Sequence, residues 1–317
     1  MLIRLYLILI ISFSIVVSNF SQATYTANLI GSWDIPLGSL GSCWSAISGT
    51  DSDADGLPDS DDDVVINSTV AMPNASLNVK AILINVGGEI QLAGSSRKIY
   101  LYGPSSYLTN NGTISGTGTF EIYSNGTVFS GSGTWSNNIY IRATNSVVFD
   151  NVNLTFDVPF LLRIGGDATI NSNSTITFNS KVYSSSYASL MYNYGTININ
   201  SNDFLRPPYQ TADVVFYNYP SSNVNYGASS GSSGDFPRPF TGYYDLEISG
   251  TADCDGDFTI YENWVNSGNF TSSNSGNNIT FGGSSTQIIS GAGTNNFKKI
   301  TLNNSSGLTL SSGTINI

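Results

Sequence analysis

The sequence predicts an all-β chain that folds as a three-sided, right-handed parallel β-helix, a solenoid, with an N-terminal cap. Apolar-polar-apolar triplets recur about every 21 residues, Gly and Asn turn residues stand between them, and no stretch of helix length carries an apolar stripe. The triplets occupy 99–101, 120–122, 154–156, 176–178, 197–199, 258–260, 279–281 and 300–302.

Each triplet is typical of a short strand with one buried face, and a fixed interval places it over its equivalent in the next coil. The stretch 300–317 shows one coil, because triplets begin there at residues 300, 308 and 315. Three strands with corners between them account for a coil of about 21 to 23 residues. The right-handed sense follows the rule for parallel crossovers.

Residues 1–23 have the pattern of a secretory signal peptide. Arg4 precedes an apolar stretch that begins at Leu5, and a cleavage site of mostly small residues ends at Ala23. The alternative is a single membrane anchor, which needs about 20 apolar residues. We therefore expect a mature chain that begins near Thr24 and is secreted or held at the outer cell surface.

Residues 24–63 have a different texture and are predicted to form the cap. Trp33 and Trp44 lie among Gly, Ser and Pro, and an acidic run follows them. The first coil of a solenoid exposes unpaired backbone groups that a cap must cover. We interpret both tryptophans as cap core rather than as ligand platforms.

The β-helix itself is predicted over 64–317, with an irregular insertion at 201–244. Five prolines and many aromatic residues interrupt the regular spacing there, and proline cannot donate to a strand ladder. The sequence ends inside a strand, at Ile317, with no polar cap after it. We therefore expect a fragment, the N-terminal part of a longer protein.

The composition excludes a nucleic-acid partner. Charged residues make up 10% of the chain, and 22 acids outnumber 11 bases, whereas phosphate binding requires clustered Lys and Arg. No segment after the first 23 residues is apolar enough to span a membrane. Cys43 and Cys254 lie about ten coils apart, on the order of 45 Å, so we expect no disulfide between them.

The strongest local motif is an aspartate-rich loop at 51–63, with seven acids in 13 residues. Ca²⁺ takes six to eight hard oxygen ligands from such a loop, and Gly56 supplies its sharp turn. The candidate ligands are the carboxylates of Asp51, Asp53, Asp55, Asp59 and Asp62 and the backbone carbonyl of Leu57. The alternative is a solvated acidic linker.

These 13 residues resemble the calcium loops of thrombospondin type 3 repeats and dockerins. The resemblance implies a structural Ca²⁺ ion that stiffens the junction before Val64. A second acidic spot consists of Asp253, Asp255 and Asp257 around Gly256. It is either a second ion site or a solvated corner.

We expect no enzyme. The chain contains no histidine, which excludes Ser-His-Asp and Cys-His catalysis and histidine-ligated zinc. A polysaccharide lyase or hydrolase is one alternative, because glycoside hydrolysis needs two facing carboxylates. Its candidate residues are the pairs Asp150 with Asp157 and Asp245 with Glu247, and the bases Arg142 and Arg163.

The other alternative is a carbohydrate-binding module that uses the Tyr-rich segment 183–244. Tyrosine rings on a surface can stack on sugar rings, although the same rings can instead pack the base of an irregular loop. Extracellular polysaccharide, or the surface of a host or neighbouring cell, would then be the partner.

The stretch 279–307 is similar to the repeats of large adhesin-like parallel β-helix surface proteins that Gram-negative bacteria export through the type IX system. The resemblance implies a secreted or outer-surface scaffold without enzymatic activity. The sequence thus predicts a β-solenoid stalk with a calcium-stiffened cap that presents adhesive modules.

Overall fold

The computed structural model describes residues 22–51, 53–72, 76–103, 105–124, 126–135, 138–157, 160–162, 166–184, 189–201, 204, 214–228, 236–237 and 239–317. Within these residues the chain is all-β, without helix. The predicted signal peptide lies outside this part except for Gln22 and Ala23. The described residues contain no helical segment with the length and apolarity that a membrane crossing requires.

The strands of the described chain are β1 (Thr24–Ala27), β2 (Gly31–Ser32), β3 (Trp44–Ser48), β4 (Asp63–Ile66), β5 (Thr69–Ala71), β6 (Leu77–Val79), β7 (Ala81–Ile84), β8 (Glu89–Leu101), β9 (Tyr107–Asn110), β10 (Thr113–Ile122), β11 (Thr127–Gly131), β12 (Thr134–Trp135), β13 (Asn138–Ala143), β14 (Val147–Phe156), β15 (Phe160–Leu162), β16 (Ala168–Ile170), β17 (Thr175–Phe178), β18 (Val182–Ser184), β19 (Ser189–Asn193), β20 (Thr196–Ile199), β21 (Val214–Asn218), β22 (Asn223–Tyr226), β23 (Asp245–Ile248), β24 (Thr251–Cys254), β25 (Phe258–Ile260), β26 (Trp264–Asn266), β27 (Asn269–Ser272), β28 (Ile279–Phe281), β29 (Gln287–Ser290), β30 (Thr294–Asn296), β31 (Ile300–Leu302), β32 (Leu308–Leu310) and β33 (Thr314–Asn316).

Parallel pairing connects these strands from one end of the described chain to the other. One ladder runs β1, β4, β7, β9, β11, β14, β16, β19, β21. The second half of β14 begins another ladder through β17, β20, β22, β23, β26, β29 and β32. The result is a parallel β-solenoid of about 10 turns, as the spacing predicts.

The triplets found in the sequence stack as predicted. Ile176 pairs with Leu154 below it and with Ile197 above it, and the strands β25, β28 and β31 stack in the same way. In the last turns each coil contributes three short strands, for example β26, β27 and β28 followed by β29, β30 and β31. The right hand and the three-sided cross-section stay predictions.

Alternate residues of each strand point into a dry interior. In β17, for example, Ile176 and Phe178 are buried, whereas Thr175 and Thr177 are half-buried. Aromatic rings continue the packing along the axis, and the rings of Phe156 and Phe178 stack with centroids 5.4 Å apart. Burial of each such side chain stabilises the fold by about 1.5–3 kcal/mol.

Asparagine side chains bridge neighbouring turns at the corners. Asn67 donates to Asn28 at 2.8 Å, and Asn85 donates to Asn67 at 2.7 Å. The amide carries both a donor and an acceptor, so each asparagine can bind the turn above and the turn below. The corners are therefore held by polar ladders, and the interior by apolar ones.

The segment before β4 closes the N-terminal end. The strand β1 pairs with β4 in parallel and with β3 in the opposite sense, the one antiparallel pair among the described strands. Trp33 and Trp44 are buried against each other with ring centroids 5.0 Å apart, and the Trp44 indole N–H donates to the Trp33 carbonyl at 2.9 Å. Both tryptophans are core residues, as interpreted from the sequence. Cys43 and Cys254 are both buried, and no disulfide joins them.

Part of the predicted insertion at 201–244 continues the solenoid. The strand β21 pairs with β19, and β22 lies between β20 and β23. Phe216 and Tyr226 on these strands are buried in the core. Most of the remaining residues of this range, Pro207 and Pro208 among them, lie outside the described part.

Candidate functional site

The acidic loop between β3 and β4 brings its carboxylates together in two groups. Oxygens of Asp51, Asp53 and Asp55 lie within 4.8 Å of one another, and those of Asp59, Asp61 and Asp62 form a second such group. The five carboxylates predicted as ligands of one ion are therefore divided between two groups, and Asp61 belongs to the second. The backbone N–H of Leu57, the sixth predicted position, donates to Asp55 Oδ1 at 2.7 Å.

The backbone of the loop holds the first group in place. The N–H groups of Ala54 and Gly56 donate to the two oxygens of Asp51, each at 3.0 Å. Both donors have a left-handed backbone, with φ of 59° at Ala54 and 77° at Gly56. Two left-handed positions separated by a single residue curl the chain around Asp51.

The second group fastens the loop to the solenoid. Asp62 is 3% exposed, and its two oxygens accept the N–H of Ala23 at 3.1 Å and that of Asp59 at 3.0 Å. Its backbone carbonyl accepts the N–H of Lys80 at 3.0 Å. The loop is thus tied both to the start of β1 and to the residue before β7.

Negative charge is crowded in the second group. Burial, reinforced by the charges of Asp59 and Asp61, raises the pKa of Asp62 to about 6. Burial also raises the pKa of Asp59, and the neighbouring Asp61 raises it further. A raised carboxyl pKa means that the charged form is disfavoured here. A bound cation would remove this penalty.

Tyr25 faces the first group from inside the cap. Its buried hydroxyl lies beside Asp51 and near Asp55 and Asp62, and burial together with these charges raises its pKa. The pKa of the Asp51 carboxyl is shifted in the opposite direction. Burial alone would raise its pKa, but Tyr25 and the Gly56 N–H hold it below its usual value. The sequence gives no sign of this contact beyond the inward position of Tyr25 on β1.

The second acidic spot has a different geometry. Asp253, Asp255 and Asp257 do not bring carboxylate oxygens together in the way that the two groups of the loop do, among the residues that the structure describes. Asp257 instead accepts the N–H of Asn278 in the next turn at 2.7 Å.

Three of the four carboxylates considered for catalysis bind asparagines of the neighbouring turn, and the fourth, Glu247, is exposed. Asn171 donates to Asp150 at 2.9 Å, and Asn179 donates to Asp157 at 2.5 Å. Asp245 accepts both the N–H and the amide group of Asn263, at 3.2 and 3.0 Å. These carboxylates take part in corner ladders of the kind formed by the asparagines.

Of the two arginines considered as catalytic bases, the structure describes Arg142. Arg142 binds Glu121 at 3.0 Å, and Lys98 binds the same Glu121 oxygen at 3.1 Å. Glu121 is 1% exposed although it alternates with the inward-facing Phe120 and Ile122. Arg163 lies outside the described residues.

The aromatic residues of the Tyr-rich segment divide between core and surface. Phe216, Tyr226, Phe236 and Tyr243 are buried. On the outer face, stacked pairs link two turns, with ring centroids 5.4 Å apart for Tyr192 and Tyr217 and 4.3 Å apart for Tyr194 and Tyr219. Tyr183 and Tyr209 are among the residues whose side chains the structure does not describe.

Comparison with known proteins supplies no relative from which a role could be transferred. No protein-family model, no curated protein and no solved structure matches this chain.

Proposed function

We propose that the chain is a secreted or cell-surface structural protein, an adhesin-like β-solenoid stalk whose N-terminal cap binds a structural Ca²⁺ ion. The observation that supports the stalk is the unbroken parallel pairing from β1 to β32. Each turn adds about 4.8 Å, so 10 turns extend on the order of 50 Å. Such a ladder transmits force along its axis through backbone hydrogen bonds.

The polar, weakly charged composition and the N-terminal apolar stretch support export. The test is expression of the full chain with a C-terminal epitope in a Gram-negative host. We expect mass spectrometry to show an N-terminus near Thr24, and antibody or added protease to reach the epitope outside the cytoplasm. An epitope that stays in the cytoplasm on a chain retaining residues 1–23 would refute the proposal.

The calcium part of the proposal rests on the crowded carboxylates of the loop and on its ties to the first turns. A cation bound at either group would neutralise the repulsion there and would hold the loop, which Asp62 ties to Ala23 and Lys80 by hydrogen bonds. Ca²⁺ fits better than Mg²⁺, because Ca²⁺ accepts a flexible shell of six to eight oxygens, whereas Mg²⁺ keeps several waters.

Isothermal titration of the full chain with Ca²⁺ tests this part. We expect binding that Asp51→Asn or Asp62→Asn weakens at least tenfold, because each removes one charge from a separate group. Asp157→Asn, an exposed acid distant in sequence from the loop, is the matched control and should bind Ca²⁺ as the wild type does. Equal binding by all four proteins, or none by any, would disprove the site.

A further inference from the structure

Tyr244 and Tyr261 occupy one column on the outside of two neighbouring turns. The N–H of Tyr261 donates to the Tyr243 carbonyl at 2.8 Å, which places the two rings in register. Their centroids lie 5.1 Å apart at an interplanar angle of 29°. Tyr244 therefore covers one face of the Tyr261 ring.

The next residue of the same column is Gly282. Its N–H donates to the Ile260 carbonyl at 2.9 Å, so Gly282 lies directly above Tyr261 in register. A Cβ at this glycine would come 3.1 Å from Cγ2 of Thr259 and 3.9 Å from Cε1 of Tyr261. Gly282 does not have a left-handed φ, so its backbone does not require glycine. The column therefore has no side chain over the second face of the Tyr261 ring.

A cavity of about 480 Å³ opens at this position. It is lined by Tyr244, Tyr261, Glu262, Asn263 and residues 282–287. Its volume lies within the range of about 300–1,000 Å³ that is usual for small-ligand sites. Two further cavities adjoin it, one that shares Tyr261 and contains Phe240, and one that shares Asn263.

Phe240 gives the adjoining cavity a second exposed aromatic surface. Its side chain is 77% exposed, although its ring contacts that of Tyr217 at 5.4 Å. A phenylalanine so exposed buries little apolar area within the chain itself. The three cavities, which share Tyr261 and Asn263 as lining residues, are together called the groove, and they offer aromatic rings at more than one point.

The polar groups of the groove are acceptors and amides rather than cations. Asp245 and Glu262 lie close enough that burial and the neighbouring Asp245 raise the pKa of Glu262. Glu247 and Asp257 line the adjoining cavities, and none of the Lys and Arg residues that the structure describes lines any of the three. This charge disfavours an acidic ligand and suits one that donates hydrogen bonds.

We propose that this groove binds a neutral polysaccharide chain, with one sugar ring stacked on Tyr261 in the position that Gly282 leaves vacant. The apolar C–H face of a pyranose packs on an aromatic ring, and its hydroxyls donate to carboxylates such as Glu262. The adjoining cavities would hold the preceding and following sugar units. The groove differs from the tyrosine pairs at 192–219 and does not depend on the proposed stalk function.

Isothermal titration of the full chain with cellohexaose, laminarihexaose, mannohexaose and hexagalacturonate tests the groove. We expect at least one of the three neutral sugars to bind and the acidic one not to bind. Tyr261→Ala should lower the affinity at least tenfold because the stacking surface is lost. Tyr261→Phe keeps that surface and should stay within threefold.

The second variant tests the vacant position itself. Gly282→Gln places a side chain over Tyr261 and should lower the affinity at least tenfold. Gly276→Gln controls for an added glutamine outside the groove, where a Cβ meets nothing closer than 3.9 Å. Gly282→Ala controls for the contact of a Cβ with Thr259 at 3.1 Å, because alanine adds that contact without covering the ring. Circular dichroism melting confirms that each variant is folded.

Two results would overturn the proposal. One is the absence of binding for all three neutral hexasaccharides. The other is a folded Gly282→Gln protein that binds as tightly as Gly276→Gln. Neither result would bear on export or on Ca²⁺ binding, so failure of the groove is distinguishable from failure of the proposed stalk.

Discussion

Asn193 donates a hydrogen bond to Asn218 at 2.8 Å, and both side chains are fully buried one turn apart. The Oδ1 atom of Asn193 accepts the N–H of Gly195 at 3.1 Å, so one amide serves both the next turn and its own corner. A buried polar group that loses its partner costs about 1–3 kcal/mol. The corner at Asn193 therefore depends on a single side chain.

We expect Asn193→Ala to lower the free energy of unfolding by about 2–3 kcal/mol, since the Gly195 N–H and the side-chain Oδ1 of Asn218 would both lose a partner. Urea denaturation measures the change. Asn200→Ala is the control, because Asn200 makes an equivalent bond to Asn179 at 2.8 Å on an exposed corner, and should cost less than about 0.5 kcal/mol. Similar losses for both variants would contradict the argument from burial.

A second corner depends on a glycine at close approach. Gly291 has a φ of 100°, and a Cβ there would lie 2.2 Å from the Asn266 carbonyl oxygen. Gly131 stands in the same relation to Asn110, also at 2.2 Å, so the device recurs along the solenoid. Neither oxygen can move without breaking the ladder.

We expect Gly291→Ala to destabilise the protein by about 3 kcal/mol or more, from positive-φ strain of about 1–2 kcal/mol and from the clash. Gly307→Ala separates the two causes, because Gly307 has a φ of 91° but nothing within 4 Å of a Cβ. Gly307→Ala should therefore destabilise the protein only by the strain of about 1–2 kcal/mol. If thermal melting shifts both variants equally, the clash contributes nothing.

The stacked phenylalanines test the continuity of the core. The ring of Phe178 lies 5.4 Å from that of Phe156 and 5.3 Å from that of Phe204. Phe178→Ala should cost about 3–5 kcal/mol in denaturant unfolding. Tyr194→Ala removes a ring that also stacks, 4.3 Å from Tyr219, but is 38% exposed, and should cost less than about 1 kcal/mol. The opposite order would mean that the interior is not packed as described.

The stacking of strands could be predicted from the sequence, because burial on one face repeats at a fixed interval wherever the coils have equal length. Ile176 over Leu154 is an example. The interval varies where loops differ in length, since β-pairing aligns strands and not the loops between them. Thus 18 residues separate the paired Leu246 and Trp264, but 25 separate Trp264 and Ile289.

The acidic loop was visible in the sequence because its carboxylates are close together along the chain. Contacts across turns were not visible. Nothing in the spacing indicates that the inward-facing Tyr25 lies beside Asp51, because the acidic loop carries no strand periodicity. The contacts of Glu121 with Lys98 and Arg142 were not visible either, because outward positions carry no periodic signal. Likewise, the vacant position above a stacked tyrosine becomes apparent only when the register is known.

Glu121 provides a prediction about acid stability. Burial alone would raise its carboxyl pKa, but Arg142 at 3.0 Å and Lys98 at 3.1 Å outweigh this effect and hold the pKa below the ordinary value of 4.5. A carboxyl whose pKa is lower in the folded state stabilises that state when ionised. The contribution is complete above the unfolded pKa and is lost as the pH falls through the folded one.

We therefore expect Glu121→Gln to cost about 1–2 kcal/mol at pH 7, since both cations are partly exposed and water screens the pair. The difference between wild type and variant should shrink steadily below pH 4.5, as urea denaturation at a series of pH values would show. Glu247→Gln, an exposed acid, should match the wild type throughout. A deficit for Glu121→Gln that stays constant down to pH 3 would mean that the shape of Glu121, and not its charge, supports the turn.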